Sequence, residues 1–152
     1  MLIRKAMEQD FEAYMNVSKG TCYSMELKGS PKQNSIQSNC LTFFANNEAD
    51  KKEVFLQMIQ NGEVFLLEEE GQVIASAAVK QQNKTFKILD FVVMADKQAK
   101  GIGTYFAKTI IKSAKKERAK KVWLYCGFKG AQEFWKTLGF KEMAQNHFEK
   151  IL

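Results

Sequence analysis

The sequence predicts one α+β domain, built on a mixed but mostly antiparallel sheet of about seven strands. Three apolar runs between residues 64 and 94 are separated only by short turns, which is the pattern of antiparallel neighbours. A long amphipathic stretch from Ile102 joins the third run to the strand Val122–Cys126, so these two strands can lie parallel through a right-handed crossover. A length of 152 residues suits one domain with its own core, and we expect residues 1–152 to form a single unit.

The first part of the chain carries one strand signal and two helix signals. Residues 2–6 predict a short first strand, and a helix is expected to begin at Asp10 and to end near Gly20. A second helix is predicted to begin at Asn46–Glu48, where an amide side chain can cap it and its first turn is acidic, and to end at Asn61–Gly62.

The second part of the chain supplies the other strands. Glycine or polar turns at Glu69–Gly71 and Gln82–Lys84 separate the runs of the antiparallel meander, and Gly130–Leu138 predicts a short helix before the last two strands. The strands predicted here are Val64–Glu68, Gln72–Val79, Phe86–Met94, Val122–Cys126, Phe140–Met143 and His147–Leu152.

Composition and charge make some classes of function less probable than others. The net charge of +6 would suit nucleic acid, yet only Arg4 and Arg118 are arginines, and the lysines are spread without a helix-turn-helix or an RNA-binding aromatic motif. Nucleic-acid binding is therefore the weaker alternative. No apolar run approaches the length of a membrane span, and no signal-peptide core follows Met1, so we expect a cytoplasmic protein without a membrane partner.

The cysteines predict neither a disulfide framework nor a metal site. Cys22, Cys40 and Cys126 are odd in number, widely spaced, and not clustered with histidine. We therefore expect reduced thiols and no metal cofactor.

The stretch most typical of a binding site is Gln98–Thr104, between a predicted strand and a predicted helix. The first N–H groups of a helix have no intrahelical acceptor and carry partial positive charge, so they bind anions. Gly101 and Gly103 allow a close approach and positive φ, and Lys100 adds a full charge. The stretch is not a P-loop, and a Rossmann fingerprint would need glycine in place of Phe106.

Two motifs in register resemble the GCN5-related N-acetyltransferase family. The first is Q-x-x-G-x-G at Gln98–Gly103, and the second is A-x-x-F-W-x-x-L-G-F at Ala131–Phe140. The order of predicted strands and helices resembles that family over nearly the whole chain. The resemblance implies an α/β/α sandwich, with helices on both faces of the sheet and one parallel strand pair splayed at the cofactor site.

The resemblance further implies acetyl-CoA as the co-substrate, held between the strands 86–94 and 122–126. The pantetheine arm would pair with the backbone of Phe91, Val92 and Val93, and the diphosphate would rest on N–H groups from Ala99 to Thr104. The cofactor-binding residues implied are Phe91, Val92, Val93, Gln98, Ala99, Lys100, Gly101, Ile102, Gly103, Thr104, Phe128 and Trp135.

The chain departs from the family pattern at two positions. Trp135 stands where the family commonly has a tyrosine that protonates the leaving thiolate, and Phe128 stands where an asparagine is common. An indole has no acidic proton to give, so Trp135 is interpreted first as a core aromatic residue, and Tyr125 is an alternative donor. These departures favour a second hypothesis, an acyl-CoA-binding or regulatory module with weak or no catalysis.

The candidate bases are Asp90 and Glu68, which could accept the amine proton directly or through water. Each could instead be an outward-facing strand residue, while His147 and Cys126 are weaker candidates. The acceptor is expected to be a small-molecule amine or a peptide N-terminus or lysine, selected by Thr21–Phe44 and the last hairpin. A homodimer is one assembly to be considered.

Overall fold

The computed structural model of the protein describes residues 1–17, 47–98 and 100–152. The expectations for Cys22, Cys40, Ala99 and the segment Thr21–Phe44 lie outside these ranges. Within them the strands are β1 (Leu2–Lys5), β2 (Val64–Glu69), β3 (Gln72–Gln82), β4 (Thr85–Val93), β5 (Lys121–Tyr125), β6 (Lys141–Ala144) and β7 (His147–Ile151). The helices of these ranges are α1 (residues 11–17), α2 (Glu48–Gln60), α3 (Ile102–Lys116) and α4 (Lys129–Thr137).

The described strands form one seven-stranded sheet in the order β1-β2-β3-β4-β5-β7-β6. Every pair of neighbours is antiparallel except β4 and β5, which are parallel and are joined through α3. The predicted mixed, mostly antiparallel sheet is therefore confirmed. The last strand, β7, lies between β5 and β6, so β6 forms one edge of the sheet.

Two tight turns set the register of the meander. Glu70 and Gly71 have φ of 53° and 79°, and Asn83 and Lys84 have φ of 50° and 63°. Two successive residues with positive φ match the twist of a two-residue hairpin. The second turn lies next to the last pair, Gln82↔Thr85, so β3 runs three residues beyond the predicted end at Val79.

The second helix begins where its capping signal predicts. The side chain of Asn47 accepts a hydrogen bond of 2.9 Å from the backbone N–H of Asp50, and Glu48 and Asp50 make the first turn acidic. The helix ends before Gly62, whose φ is 67°. Residue type at the two ends was therefore sufficient to predict this element.

Helices pack on both faces of the sheet. On one face α3 contributes Phe106 and Ile110 to a core with Leu124 and Phe148 of the last strands. On the other face α1 and α2 contribute Phe11, Tyr14 and Phe55, which pack against Leu66 and Ala78. This is the α/β/α sandwich that the sequence predicts. Among the described helices, none has the length and apolar character needed to span a membrane.

The two central strands separate after a short stretch of pairing. β4 and β5 pair only at Thr85↔Lys121, Phe86↔Val122 and Lys87↔Trp123. Just beyond, Leu89 is an extra residue in β4, because the register with β3 changes from Val79↔Ile88 to Ala78↔Asp90. A bulge of this kind bends a strand and increases its twist. The predicted splay of the parallel pair is confirmed.

Candidate functional site

A cleft of about 400 Å³ lies where β4 and β5 separate. Three elements and one loop form its walls: the end of β4, the glycine loop, the start of α3, and the start of α4. The residues that line it are Phe91, Val92, Val93, Gln98, Gly101, Gly103, Thr104, Phe128, Gly130, Ala131 and Phe134.

The glycine loop presents the start of α3 to this cleft. Gly101 has φ of 80° and ψ of −2°, a left-handed conformation that glycine adopts without strain, and it immediately precedes the helix. The first helical bond runs from Tyr105 N–H to the carbonyl of Gly101, 3.0 Å away. The N–H groups of residues 102–104 therefore precede the intrahelical ladder and are available to an anion.

The two glycines of the loop differ in how strictly the backbone requires glycine. A Cβ on Gly101 would meet no atom within 4 Å, so only its positive φ favours glycine. A Cβ on Gly103 would lie 3.6 Å from the ring of Phe134 and 3.7 Å from Val93, at ordinary contact distance. An alanine would therefore fit at Gly103 without displacing α4 or β4.

Polar side chains attach the loop to the sheet. Gln98 Nε2 donates a hydrogen bond of 2.9 Å to the carbonyl of Val93, so the loop is tied to the end of β4. Lys97 Nζ lies 2.9 Å from Glu69 Oε1, and this hydrogen bond lowers the pKa of Glu69 and raises the pKa of Lys97. Lys100 is exposed, whereas Ile102 is buried in the core.

One wall of the cleft is aromatic. The ring of Phe91 lies 5.8 Å from that of Phe134 and 5.3 Å from that of Phe106. Trp135 lies behind these rings, 5.1 Å from Phe91 and 5.2 Å from Phe140, and is only 4% exposed. It is absent from the cleft lining, which suits the core interpretation. Phe128 lines the cleft at the N-cap position of α4.

The two candidate bases occupy different surroundings. Asp90 immediately precedes the cleft residue Phe91. Its Oδ2 accepts a hydrogen bond of 2.6 Å from Tyr14 Oη, and its Oδ1 accepts one of 3.0 Å from the N–H of Ala78. Glu68 lies on β2, two strands away, and its Oε1 accepts from Arg4 Nη2 at 2.6 Å. Asp90 is thus next to a cleft residue along β4 without lining the cleft itself, and Glu68 is held in an ion pair elsewhere.

The remaining candidates lie near the end of β5. Tyr125 is 62% exposed. The Sγ of Cys126 lies 3.6 Å from the carbonyl of Phe128, and burial raises the pKa of this thiol, so it stays protonated at neutral pH. His147 Nε2 lies 2.7 Å from Glu149 Oε2, an interaction that lowers the pKa of Glu149.

Sequence reasoning did not assign three residues of the cleft, Gly130, Ala131 and Phe134. The second motif contains Ala131 and Phe134. These residues are three apart on α4 and therefore share a helical face, which is the signal that could have assigned them to the cleft. In the described part of the chain, no group of histidine, cysteine or carboxylate side chains is arranged to hold a metal ion.

A sequence model of the acetyltransferase (GNAT) family matches residues 34–140. This stretch is most of the chain. It contains the strands β2 to β5, the glycine loop and the helices α2 to α4. The protein therefore belongs to the acetyltransferase (GNAT) family, and the predicted enzyme class, an acetyltransferase, is confirmed. A search of curated protein sequences finds no significant match.

Solved structures share the fold at low sequence identity. PaiA N-acetyltransferase from Thermoplasma acidophilum, in complex with coenzyme A, is 17% identical with a TM-score of 0.76, and the match covers 99% of this chain and 98% of that one. Ribosomal-protein-alanine N-acetyltransferase from Brucella melitensis is 18% identical with a TM-score of 0.70, covering 100% of both chains. A GNAT family acetyltransferase from Brucella melitensis, in complex with acetyl-CoA, is 16% identical with a TM-score of 0.62, covering 99% and 87%.

Proposed function

We propose that this protein transfers the acetyl group of acetyl-CoA directly to the nitrogen of an amine. The observation that carries the proposal is the cleft itself, in which a strand edge and the N-terminus of a long helix face one space. Acetyl-CoA combines an amide-rich arm with a diphosphate, and these two parts need an open strand edge and converging N–H donors.

The residues of the cleft fit acetyl-CoA part by part. The backbone of Phe91 and Val92 lies beyond the last β4–β5 pair and can bond the amides of the pantetheine arm. The N–H groups of residues 102–104 receive the diphosphate, with Lys100 adding a screened charge. The ring of Phe134 gives the arm an apolar wall.

The transfer itself needs few side chains. The neutral amine attacks the thioester carbonyl carbon, a new C–N bond forms, and backbone N–H groups of β4 stabilise the oxyanion. The C–S bond then breaks, and the thiolate of CoA leaves. Asp90 takes the proton of the amine, directly or through water, since it is the candidate carboxylate that directly precedes the cleft residue Phe91. Tyr125 is the candidate donor to the thiolate, although a thiol with a pKa of about 8.5 can also leave unprotonated.

The acceptor is a small-molecule amine or the amine of a peptide or protein. One structural relative is named for an alanine of a ribosomal protein, so both classes belong in a first screen. A cytoplasmic location is part of the proposal. A homodimer is a further proposal, and the molecular mass in solution tests it.

A second candidate function is that of an acyl-CoA-binding or regulatory module. It is favoured by Trp135 and Phe128, which replace two polar residues of the family pattern. Isothermal titration with acetyl-CoA tests both candidates, and no binding at about 1 mM would remove them together. CoA release measured against amines, polyamines, amino acids and peptides then separates them. Release above the acceptor-free rate supports the enzyme, whereas tight binding without release from any acceptor supports the module.

A further inference from the structure

An aromatic surface lies on the sheet face opposite α3 and α4. Val122 and Leu124 of β5 point into the core with those helices, so the alternate residues Trp123 and Tyr125 point to the other face. The neighbouring strand β7 presents His147 on the same side, since His147 pairs with Tyr125. These three residues, with Lys87 of β4, are here named the aromatic surface.

The three rings are packed against one another. Trp123 and His147 stack with centroids 5.1 Å apart and an angle of 11° between their planes. Tyr125 meets both edge-on, 5.4 Å from Trp123 and 5.0 Å from His147. The three rings therefore form a packed cluster in which Tyr125 stands perpendicular to the other two, and Tyr125 is the ring most open to solvent, at 62% exposed.

A lysine that has no carboxylate partner among the described residues lies over this cluster. Lys87 Nζ is 4.5 Å from the centroid of Trp123 and 5.3 Å from that of Tyr125. None of the ion pairs within the described ranges includes Lys87. The nearby carboxylate of Glu149 is already neutralised by Lys121 at 3.1 Å. Lys80 stands directly opposite Lys87 on β3, so the local charge is positive.

The aromatic surface begins at the point where β4 and β5 separate. Lys87 and Trp123 form the last pair before β4 and β5 separate, and Tyr125 lies beyond that point on the diverging strand. Along β4, Phe91 packs against the aromatic wall on the α3 side, so the next residue, Val92, points to the same side as the aromatic surface. Phe91 and Val92, which alternate between the two faces, both line the cleft.

We propose that the aromatic surface is the acceptor subsite, and that it binds an amine carrying a planar apolar group next to a carboxylate. The exposed ring of Tyr125 supplies an aromatic contact, and the ammonium of Lys87 supplies a charge-assisted bond to the carboxylate. The amine then points into the gap between the strands, where the thioester is placed. This inference rests on the proposed function and adds the class of its substrate.

Four matched amines test the proposal. Phenylalanine carries a ring and a carboxylate, 2-phenylethylamine only the ring, alanine only the carboxylate, and ethylamine neither. The kcat/KM of CoA release is expressed per neutral amine, so that differences in amine pKa are removed. We expect phenylalanine to exceed each of the other three by about tenfold or more. Equal values for phenylalanine and alanine, or a preference for 2-phenylethylamine over phenylalanine, would overturn the proposal.

Substitutions assign the two contributions. Lys87→Gln should lower kcat/KM for phenylalanine to about that for 2-phenylethylamine and leave the latter unchanged. The matched control is Lys108→Gln, because Lys108 is exposed on α3 at the other side of the sheet. Trp123→Leu should lower the values for both ring-bearing amines and spare those for alanine and ethylamine. An equal loss for all four amines in a folded Lys87→Gln protein would contradict the assignment.

A binding measurement separates this inference from the proposed reaction. Saturable quenching of Trp123 fluorescence by phenylalanine, lost in Trp123→Leu and weakened in Lys87→Gln, is expected whether or not turnover occurs. Quenching without acetylation of any amine would support the surface and contradict the reaction. Acetylation without quenching and without discrimination among the four amines would support the reaction and overturn the surface.

Discussion

The hydroxyl of Tyr14 donates a hydrogen bond of 2.6 Å to Oδ2 of Asp90, which lies 76 residues further along the chain. Tyr14 is fully buried in α1, while Asp90 follows the bulge of β4 and precedes the first residue of the cleft. The other carboxylate oxygen of Asp90 accepts from Ala78 N–H. The two bonds fix the orientation of the carboxylate at the point where β4 leaves its partner.

The role of Asp90 as the base can be tested against that of Glu68. Asp90→Asn keeps an oxygen that can accept from Ala78 N–H but cannot take the amine proton, so kcat/KM should fall about a hundredfold or more while the protein stays folded. Glu68→Gln keeps an oxygen for Arg4 and should leave kcat/KM within about twofold of the parent. Steady-state rates with one good acceptor are the measurement. A parental rate in Asp90→Asn would show that Asp90 is not the base and that its role is structural.

Gly101→Ala should weaken acetyl-CoA binding by about tenfold or more, because an alanine at φ of 80° is strained and shifts the N–H groups of the loop. Gly71→Ala is the matched control. Gly71 has φ of 79° and, like Gly101, open space around an added Cβ, but it lies in the β2–β3 turn. Titration calorimetry should therefore give parental affinity for Gly71→Ala at a similar loss of stability. Equal affinities of the two variants for acetyl-CoA would show that the glycine loop is only a turn and does not bind the diphosphate.

Lys100→Ala should weaken acetyl-CoA binding less than Gly101→Ala does, since Lys100 is exposed and its charge is screened by salt. The loss should shrink between about 0.05 M and 0.5 M salt, over which the Debye length falls severalfold. The effect of Gly101→Ala should not change over that range, because it concerns directed N–H groups. A Lys100→Ala effect that is independent of salt would indicate a direct, desolvated contact instead.

Acid should remove a defined part of the stability at the start of the chain. The bidentate hydrogen bonds from Arg4, 2.7 and 3.0 Å long, hold the pKa of the buried Asp10 below its ordinary value against the opposing effect of burial. A carboxyl with a lowered folded-state pKa stabilises the fold above its unfolded-state pKa of about 3.9, and this stabilisation is lost as the pH falls through the folded-state value.

Arg4→Leu should therefore lower the free energy of unfolding by about 3 kcal/mol at pH 7, because it leaves Asp10 buried without its partner. The gap between the variant and the parent should narrow below about pH 4. Urea unfolding at several pH values measures both effects. Glu133→Gln, which breaks an exposed 3.5 Å pair with Lys136, is the control and should change stability by less than about 1 kcal/mol at any pH. A constant gap for Arg4→Leu across pH would show that lost packing, and not charge, explains its effect.

The elements that local chemistry determines could be predicted from the sequence. Asn47 caps its helix, Gly101 takes the left-handed conformation, and turn residues separate the strands of the meander, because each of these features depends on a few neighbouring residues. Contacts that depend on strand register could not be predicted from the sequence. The extra residue Leu89 changes which β4 side chains share a face with those of β3, and no alternation in the sequence shows it.

The same limit applies to the candidate site. The motif placed Gln98 and Gly101 in the glycine loop, and both line the cleft. However, the bond from Tyr14 to Asp90 joins distant parts of the chain, and so does the stack of Trp123 on His147. Such pairs are formed only when the whole sheet is assembled. Strand periodicity predicts which residues share a face, but it does not predict which of them touch.

The short pairing of β4 with β5 has a consequence for self-association. An unpaired strand edge usually lies at the margin of a sheet, where it can recruit a strand of another protein and start aggregation. Here the open edge lies in the middle of the sheet, between the glycine loop and the start of α4. The glycine loop and the start of α4 flank this edge, so a further strand cannot approach it from the side as it could at the margin of the sheet. The fold thus keeps hydrogen-bonding groups open to a slender ligand in a place where edge-to-edge pairing between copies of the protein is disfavoured.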